Sequence, residues 1–360
     1  MSALDSSLDE RALFTLSPSG RRQCEGKVEY RQPSSSGSVL WESPLSPNPS
    51  PAAGRWGQRW LHAFLTLVSL PFLSTVLFAQ DVDASIERLT NDGLYKQRPA
   101  WSPDGAWMTF ARHEGSSIFL FLRSADGKSL RRFNDHHEPE YDAVWSPDGK
   151  RIAFSFVKTS PNQGDVDVHT INPEGKNAAP FAITAGKLSH EESPSWSPDA
   201  KFIAFSSTRD GNQEIYIAPS DAMATEPRRL TTDAATDAHP AWSPDGKSIA
   251  FATDRWGDLE IALIDVKSGN VTRITNSRGL DDYPAWSPDG KQLAFTSHRD
   301  SNFEIYLMNP DGSSPRNLTR QPGIDNFAAW RVDGRITFVS NRDGQFDIYL
   351  QRVSSKESPQ

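Results

Sequence analysis

Acidic side chains recur at one position relative to a repeated tryptophan, and carboxylates gathered in one place can bind a cation or a basic partner. The position lies five residues before the tryptophan, and its occupants are Lys96, Glu140, Glu191, Asp237, Asp281 and Asp325. One interpretation is that they surround a channel mouth and receive there a cation such as calcium or a basic loop of a partner. The alternative is that they bond nearby backbone N–H groups and start a strand.

Histidines are the next residues that could bind a metal. His190 precedes Glu191 and His239 follows Asp237, in corresponding loops of successive repeats, so the two could approach one another. The alternative is that both are solvated loop side chains. No histidine pair has the i, i+4 spacing of a helical zinc site, and the only cysteine, Cys24, lies far before the repeats. We therefore predict no metal centre, and calcium at the channel mouth is the one cofactor considered.

Arginine and aspartate recur side by side at a second repeated position. The pairs are Arg209-Asp210, Arg299-Asp300 and Arg342-Asp343, and Asp254-Arg255 in reversed order. Because equivalent turns carry the same pair, we predict local ion pairs that serve each repeat separately. The sequence has no G-x-S-x-G nucleophile motif and no phosphate-binding glycine loop. We predict no catalytic residues.

These positions are set by the repeated pentapeptide WSPDG. It stands at 101–105, 145–149, 242–246 and 286–290, as WSPDA at 196–200 and as WRVDG at 330–334. The spacings between the tryptophans are 44, 51, 46, 44 and 44 residues. A fixed period of this size indicates one supersecondary unit present in six copies.

Each copy predicts four short strands. The segment before the tryptophan is the first, and Pro, Asp and Gly then form a tight turn. An apolar run such as Ile249-Ala250-Phe251 follows, then a polar turn and an aromatic run such as Glu304-Ile305-Tyr306-Leu307. A short segment such as RLT at 229–231 is the fourth. The pattern predicts an all-β, six-bladed β-propeller of four-stranded antiparallel blades, with the repeated Trp and Phe side chains in the core.

The two ends of the repeat region predict how the ring closes. The sixth copy has three strands and ends at Val353, whereas an unassigned RLT stands at 88–90 ahead of the first copy. We predict that residues 87–91 are the fourth strand of the last blade, which leaves no exposed sheet edge. The propeller domain is then 81–353, followed by a tail at 354–360. Deletion of 81–92 is predicted to destabilise the whole ring.

The chain ahead of the propeller differs in composition. Residues 1–54 are rich in Ser, Pro and Gly and are predicted to be a disordered leader. Residues 55–79 have the layout of a signal peptide, with Arg55 and Arg59 before an apolar stretch and Ala79 at the cleavage point. The alternative is that 61–78 remains as a membrane anchor. Both alternatives predict export, to the periplasm or as a secreted protein.

Residues 87–353 resemble the propellers of the TolB family, which have WD-like repeats. The resemblance rests on the WSPDG turns, the IAF strands, the turn from Ser207 to Asn212 and the EIY strands. It implies a non-catalytic periplasmic scaffold that engages a Pal-like lipoprotein in cell-envelope integrity or Tol-dependent transport. Only residues 81–86 separate the leader from the first propeller strand, so the α/β domain of TolB is missing from its place.

Two further classes of function remain open at this stage. One is a propeller enzyme that acts on a glycan or a peptide through carboxylates and histidines at the channel mouth. The other is a membrane-tethered sensory or adhesion module, if 61–78 is retained. The formal net charge of −8 argues against nucleic acid as a partner, and we expect a monomeric propeller.

Overall fold

The structure of the protein, a computed structural model, describes residues 86–353 except 136, 159–164, 176–180, 183–188 and 222–225. The predicted leader 1–54, the signal or anchor segment 55–79 and the tail 354–360 lie outside the described residues. Within the part described, no helix is long and apolar enough to span a membrane. The strands there form six separate four-stranded sheets, each antiparallel.

Every sheet is one blade, and the chain builds the blades in order. Blade 1 contains β2 (Lys96–Trp101), β3 (Trp107–Glu114), β4 (Ser117–Ser124) and β5 (Leu130–Arg132). Blade 2 contains β6 (Glu140–Trp145), β7 (Ile152–Val157), β8 (Val166–Ile171) and β9 (Phe181–Ala182). Blade 3 contains β10 (Glu191–Trp196), β11 (Phe202–Ser207), β12 (Glu214–Pro219) and β13 (Arg228–Arg229).

The second half of the ring repeats this order and ends with a strand from the start of the propeller. Blade 4 contains β14 (Asp237–Trp242), β15 (Ser248–Trp256), β16 (Asp258–Asp265) and β17 (Val271–Arg273). Blade 5 contains β18 (Asp281–Trp286), β19 (Leu293–Ser297), β20 (Glu304–Met308) and β21 (Arg316–Asn317). Blade 6 contains β22 (Asp325–Trp330), β23 (Arg335–Ser340), β24 (Asp347–Arg352) and β1 (Ile86–Arg88). The predicted six-bladed propeller is confirmed.

The WSPDG turn forms because its side chains satisfy its own backbone. In blade 1, Ser102 Oγ donates to Asp104 Oδ1 at 2.5 Å and accepts from Trp107 N at 2.9 Å. Gly105 has a φ of +67° and donates its N–H to Ser102 O at 2.8 Å. In blade 3 the glycine is replaced by Ala200, which is held at a φ of +58°. The turn therefore keeps its shape there despite the unfavourable left-handed conformation of alanine.

The predicted ring closure is also confirmed, although the strand begins one residue earlier and ends three residues earlier than the predicted 87–91. β1 pairs antiparallel with β24, with Ile86 opposite Gln351 and Arg88 opposite Tyr349. Leu89 N then donates to Ile348 O at 2.8 Å. The beginning and the end of the propeller thus share one sheet, and β1 covers the edge of β24 as the fourth strands do in the other blades.

The fourth strands end before the predicted segments such as RLT at 88–90 do, and the hydroxyl of the threonine in each segment explains why. Thr90 Oγ1 accepts from Ile348 N at 2.9 Å and donates to Asp347 Oδ1 at 2.7 Å. Thr231, Thr275 and Thr319 accept from the third strands of their own blades in the same way. The side chain thus takes the place of a backbone carbonyl, so the ladder ends while the hydrogen bonding continues.

The core lies between neighbouring blades and is aromatic, as the repeats predict. The side chains of Phe110, Phe154, Phe205, Phe251, Phe295 and Phe338 are fully buried. The tryptophans correct the prediction in part, because only Trp101 and Trp196 are buried and the other four are half-buried. These four tryptophans line the central channel.

Candidate functional site

The two ends of each blade define two faces of the ring. The first strand begins beside the turn between the second and third strands, as the pairings Asp281 to Ser297 and Ser297 to Glu304 show. We name this end the upper face and the end that carries the WSPDG turns the lower face. All the sequence-predicted site residues lie on first strands or on loops at the upper end.

The five predicted carboxylates are buried inside the blades. Glu140 and Glu191 are 1% and 2% exposed, and Asp237, Asp281 and Asp325 are fully buried. This corrects their placement, because carboxylates that line an open channel mouth would be accessible. Their side chains already have partners within their own blades, so a role in binding a cation or a basic loop stays a prediction.

The partners of these carboxylates are mostly the arginines of the second repeated position. Arg299 Nη2 lies 2.8 Å from Asp281 Oδ2, and Arg342 Nη2 lies 3.0 Å from Asp325 Oδ2. Arg209 pairs with Glu191 at 3.3 Å, and Arg255 pairs with Asp237. In blade 2, Asn134 Nδ2 donates to both oxygens of Glu140, at 2.7 and 2.9 Å.

Burial sets the electrostatics of this layer. Burial raises the pKa of Asp325, against the opposing effect of Arg342. The pKa of Asp237 is likewise raised by burial and lowered in part by Arg255. Glu304, on the preceding blade, has a pKa raised by burial and further by the charge of Asp325. Arg255 and Arg342 therefore stabilise the charged forms of Asp237 and Asp325 against the effect of burial.

The adjacent arginine and aspartate of the turns do not pair with each other, which corrects the predicted ion pair. Each arginine folds inward to the buried carboxylate, whereas Asp210 and Asp343 are exposed and accept from Tyr216 and Tyr349 hydroxyls at 2.6 and 2.7 Å. The prediction that each pair serves its own blade agrees with these contacts. Because the arginine of each pair is covered, the turns leave carboxylates at the upper face. Asp210 lies 3.7 Å from Arg229 and Asp343 lies 3.6 Å from Arg88.

The two predicted histidines occupy different positions. His190 is exposed and lies in the loop before β10, where its N–H donates to Thr208 Oγ1 at 3.0 Å. His239 lies inside β14, and its Nδ1 is 2.6 Å from Asp282 Oδ1 of the next blade. The prediction that they sit in equivalent loops is therefore wrong, because His190 precedes its strand and His239 follows the start of its own.

His239 belongs to a ring of residues that the sequence reasoning did not single out. Three positions before each tryptophan, the first strand has a β-bulge, and the residue there has a positive φ of 48° to 58°. We name these residues the bulge ring: Arg98, Asp142, Ser193, His239, Tyr283 and Phe327. None is glycine, so each blade holds an unfavourable backbone conformation here. The signal in the sequence was that this position has a different residue in every copy.

One half of the bulge ring is a polar chain across three blades. Arg98 Nε lies 3.2 Å from Asp142 Oδ1. Ser193 Oγ donates to Asp142 Oδ2 at 2.8 Å. Both oxygens of Asp142 are thus engaged. No other hydrogen bond or ion pair of Arg98 is found among the described residues, which leaves its terminal nitrogens available.

The other half is aromatic. His239 stacks on Tyr283 with ring centroids 4.1 Å apart, and Tyr283 meets the edge of Phe327 at 4.7 Å. The guanidinium of Arg98 lies 5.0 Å from the centre of the Tyr283 ring, which joins the two halves. Burial, and then the charge of Asp282, raise the pKa of Tyr283, so its hydroxyl is a donor at neutral pH.

Below the bulge ring, the channel contains a cavity of about 360 Å³. Its wall consists of proline rings, alanine methyls and the tryptophans that precede the lower-face turns. Arg98 and His239 are the only lining side chains, among the residues the structure describes, that can carry a charge near neutral pH. The described residues hold no group of three or more His, Cys, Asp or Glu side chains placed to bind a metal.

Six four-stranded blades around a lined channel define the class of six-bladed β-propellers. Within that class, the profile of the TolB beta propeller domain matches residues 134–283 and 258–359, which is more than half of the chain. The protein therefore belongs to the TolB β-propeller domain family.

Curated relatives align over part of the chain. The Tol-Pal system protein TolB of Alcanivorax borkumensis is 35% identical over 126 residues, which are 34% of this chain and 27% of that protein. This chain spans less than half of the length of the curated relatives it matches. The similarity therefore does not extend to the activities of those proteins as a whole.

Solved structures agree in fold. TolB of Acinetobacter baumannii superposes with a TM-score of 0.58 at 22% identity, over 68% of this chain and 59% of that chain. An oligogalacturonate lyase of Vibrio parahaemolyticus superposes with a TM-score of 0.52 at 12% identity, over 77% and 95%. A TolB and a lyase thus share this architecture, so the fold alone does not indicate a function.

Proposed function

We propose that the protein is a non-catalytic, exported scaffold that binds an envelope protein, such as a peptidoglycan-associated lipoprotein, through its upper face. Membership of the TolB propeller family supports the class of function. The observation that carries the proposal is an exposed patch on blades 4 and 5. We name it the upper-face patch: Asp254, Trp256, Asp258, Leu280 and Asp300.

The patch combines features typical of a protein-binding surface. Trp256 is 40% exposed at the end of β15, the longest strand of the propeller's described part, and Leu280 is 43% exposed. Arg273 supports the Trp256 ring from 5.0 Å. Exposed tryptophan is enriched in the residues that dominate binding energy. The neighbouring carboxylates favour a basic surface on the partner, because opposite charges speed association and fix its orientation.

The test is calorimetric titration of the full-length protein with a purified peptidoglycan-associated lipoprotein domain. We expect Trp256→Ala to weaken binding by about tenfold or more, as for a central anchor. Asp258→Asn should weaken it less and reduce its dependence on salt. Lys247→Gln and Lys291→Gln on the lower face are the matched controls and should leave affinity unchanged. Absence of binding, or equal loss in the lower-face variants, would reject the proposal.

Non-catalytic action is part of the same proposal. We expect no turnover when the full-length protein is incubated with glycan and peptide panels. Hydrolysis or elimination that persists on repurification, and that is lost on substitution of a channel residue, would instead place the protein among propeller enzymes.

A further inference from the structure

We propose that the channel cavity below the bulge ring is a binding site for an organic carboxylate with an apolar body. This site is separate from the upper-face patch, and it does not depend on the proposed scaffold function. The inference starts from the backbone. Six non-glycine residues keep a positive φ at one level of the channel, and strain of this kind clusters at functional sites.

The chemistry of the bulge ring supports a site rather than a repeated structural device. The first and the last three first-strand positions repeat one residue type across most blades. The bulge position instead holds a cation, an anion, a hydroxyl, an imidazole, a phenol and a phenyl ring, and the position before it, from Gln97 to Asn326, varies as well. A residue needed only for the bulge would be copied with the repeat. The difference between copies instead gives the sixfold ring an asymmetric interior.

The charge of the lining selects an anion. The chain carries a formal net charge of −8, yet no carboxylate lines the cavity among the described residues. Asp142, next to the lining, has both oxygens engaged by Arg98 and Ser193. Asp282 lies 2.6 Å from Nδ1 of His239 and accepts from Tyr283 N. Arg98 contacts Asp142 through Nε, so its terminal nitrogens keep the forked geometry that binds a carboxylate.

An unpaired donor in the cavity wall points the same way. The indole Nε1 of Trp145 is buried without a hydrogen-bond partner among the described residues. The equivalent nitrogens of Trp196, Trp286 and Trp330 donate to backbone carbonyls of the preceding blade at 3.2, 3.0 and 3.1 Å. A buried donor without an acceptor is unfavourable by about 1–3 kcal/mol in general, and a ligand oxygen would satisfy it once the indole turns toward the cavity.

The rest of the wall specifies the body of the ligand. Indole rings, proline rings and alanine methyls line the cavity, and such a surface binds an aromatic or aliphatic group. The ligand chemistry is therefore a carboxylate attached to an apolar group. It could come from a free small acid or from the C-terminal carboxylate of a polypeptide that ends in an apolar residue.

The experiment titrates the full-length protein with phenylacetate and with phenylacetamide, its neutral analogue, by calorimetry. We expect one phenylacetate per chain and binding of the amide that is weaker by about tenfold or more, since the charge-assisted contact is lost. A peptide ending in Phe, with a free or an amidated C-terminus, is the second arm. Tighter binding of the free peptide than of phenylacetate identifies a polypeptide as the source, and the reverse identifies a small acid.

Variants locate the site. Arg98→Gln should weaken phenylacetate binding by about tenfold or more. Trp145→Phe should weaken it by several-fold because the free N–H is lost, and the smaller ring that it also introduces is shared with the control variant. Trp286→Phe is the matched control, since it removes a donor that the protein already uses. If Arg98→Gln does not fold, the Arg98→Gln/Asp142→Asn double variant replaces it. No binding by either probe, equal binding of acid and amide, or equal effects of the two tryptophan variants would overturn the assignment.

Discussion

Lys96 Nζ lies 2.9 Å from Asp347 Oδ1, and both side chains are completely buried where the first blade meets the last. Lys96 occupies the position that is acidic in the five other blades. At the preceding junction, by contrast, Asp325 faces the carboxylate of Glu304 and raises its pKa. At this level of the ring, the closing junction thus pairs opposite charges from neighbouring blades, whereas the junction of blades 5 and 6 brings two carboxylates together.

Loss of the lysine should destabilise the ring. In Lys96→Met, Asp347 would remain buried with Thr90 and Arg88 alone, and an incompletely paired buried charge is unfavourable by about 3–5 kcal/mol. We expect a loss of that size in the free energy of unfolding, measured by urea denaturation. Lys128→Met is the control, because Lys128 is 85% exposed in its ion pair with Asp126. A change in Lys96→Met no larger than in the control would contradict a closing role.

The same junction predicts a pH dependence. Burial would raise the pKa of Asp347, but hydrogen bonds from Thr90, Arg88 and Lys96 outweigh it, so the pKa lies below its usual value of 3.8. A carboxyl group whose pKa is lowered on folding contributes stability above its unfolded pKa, and this contribution is lost as the pH falls through the folded value. We expect the stability difference between wild type and Asp347→Asn to be constant above about pH 5 and to shrink below about pH 4.

The difference between the two proteins is the quantity to measure, because other groups act in the opposite direction. Asp237, Asp325 and Glu304 have raised pKa values, so their contribution increases as the pH falls. Urea midpoints from pH 3 to 7 for both proteins isolate the effect of Asp347. A difference that grows on acidification would show that its pKa is not lowered.

Ala200 offers a stabilising substitution. It is the alanine of WSPDA and has a φ of +58°, where the corresponding residues are glycines such as Gly149 at +70°. Glycine removes the clash of Cβ with the backbone, so Ala200→Gly should increase the free energy of unfolding by about 0.5–1 kcal/mol. Gly149→Ala should lower it by about 1 kcal/mol. A Cβ there would meet Pro103 at an ordinary 3.8 Å, so the loss reports backbone strain alone. The same sign for both variants in thermal denaturation would refute the explanation.

Substitutions of Asp281 and Asp258 distinguish a role in stability from a role in partner binding. Asp281 is fully buried against Arg299, so Asp281→Asn should lower the free energy of unfolding by about 3 kcal/mol and leave partner affinity unchanged where the protein is folded. Asp258 is exposed in the upper-face patch, so Asp258→Asn should weaken partner binding and leave the free energy of unfolding unchanged. Denaturation and calorimetry on the same samples make the comparison. Loss of affinity in Asp281→Asn alone would restore the predicted role of the buried carboxylates in binding.

Much of the architecture is a direct consequence of the repeat. A turn such as Ser102 to Gly105 is satisfied by its own side chains, so its conformation is local and can be read from five letters. The closure could also be predicted, because the segment at 88–90 behaves like the other fourth strands. Thr90 hydrogen-bonds to Ile348 and Asp347. In blade 5, Thr319 makes the same two bonds, with Ile305 and Glu304. The sixth copy lacks a fourth strand and the segment 88–90 has the motif of one, so that segment had to complete the last blade.

The candidate site could not be predicted as well. The repeats show that residues equivalent to Asp281 and Arg299 recur in most blades. They do not show that the arginine turns inward and leaves Asp300 at the surface, because that orientation depends on burial of the carboxylate in the blade. The bulge ring depends on contacts between strands far apart in the chain, such as those of Arg98 with Asp142 and Tyr283. The sequence by itself determined the blades, their number and their closure, since these rest on local turns and repeated strands. Only the tertiary structure decided which polar groups are paired and which face an open channel, because side chains from six blades meet there and none specifies its neighbours alone.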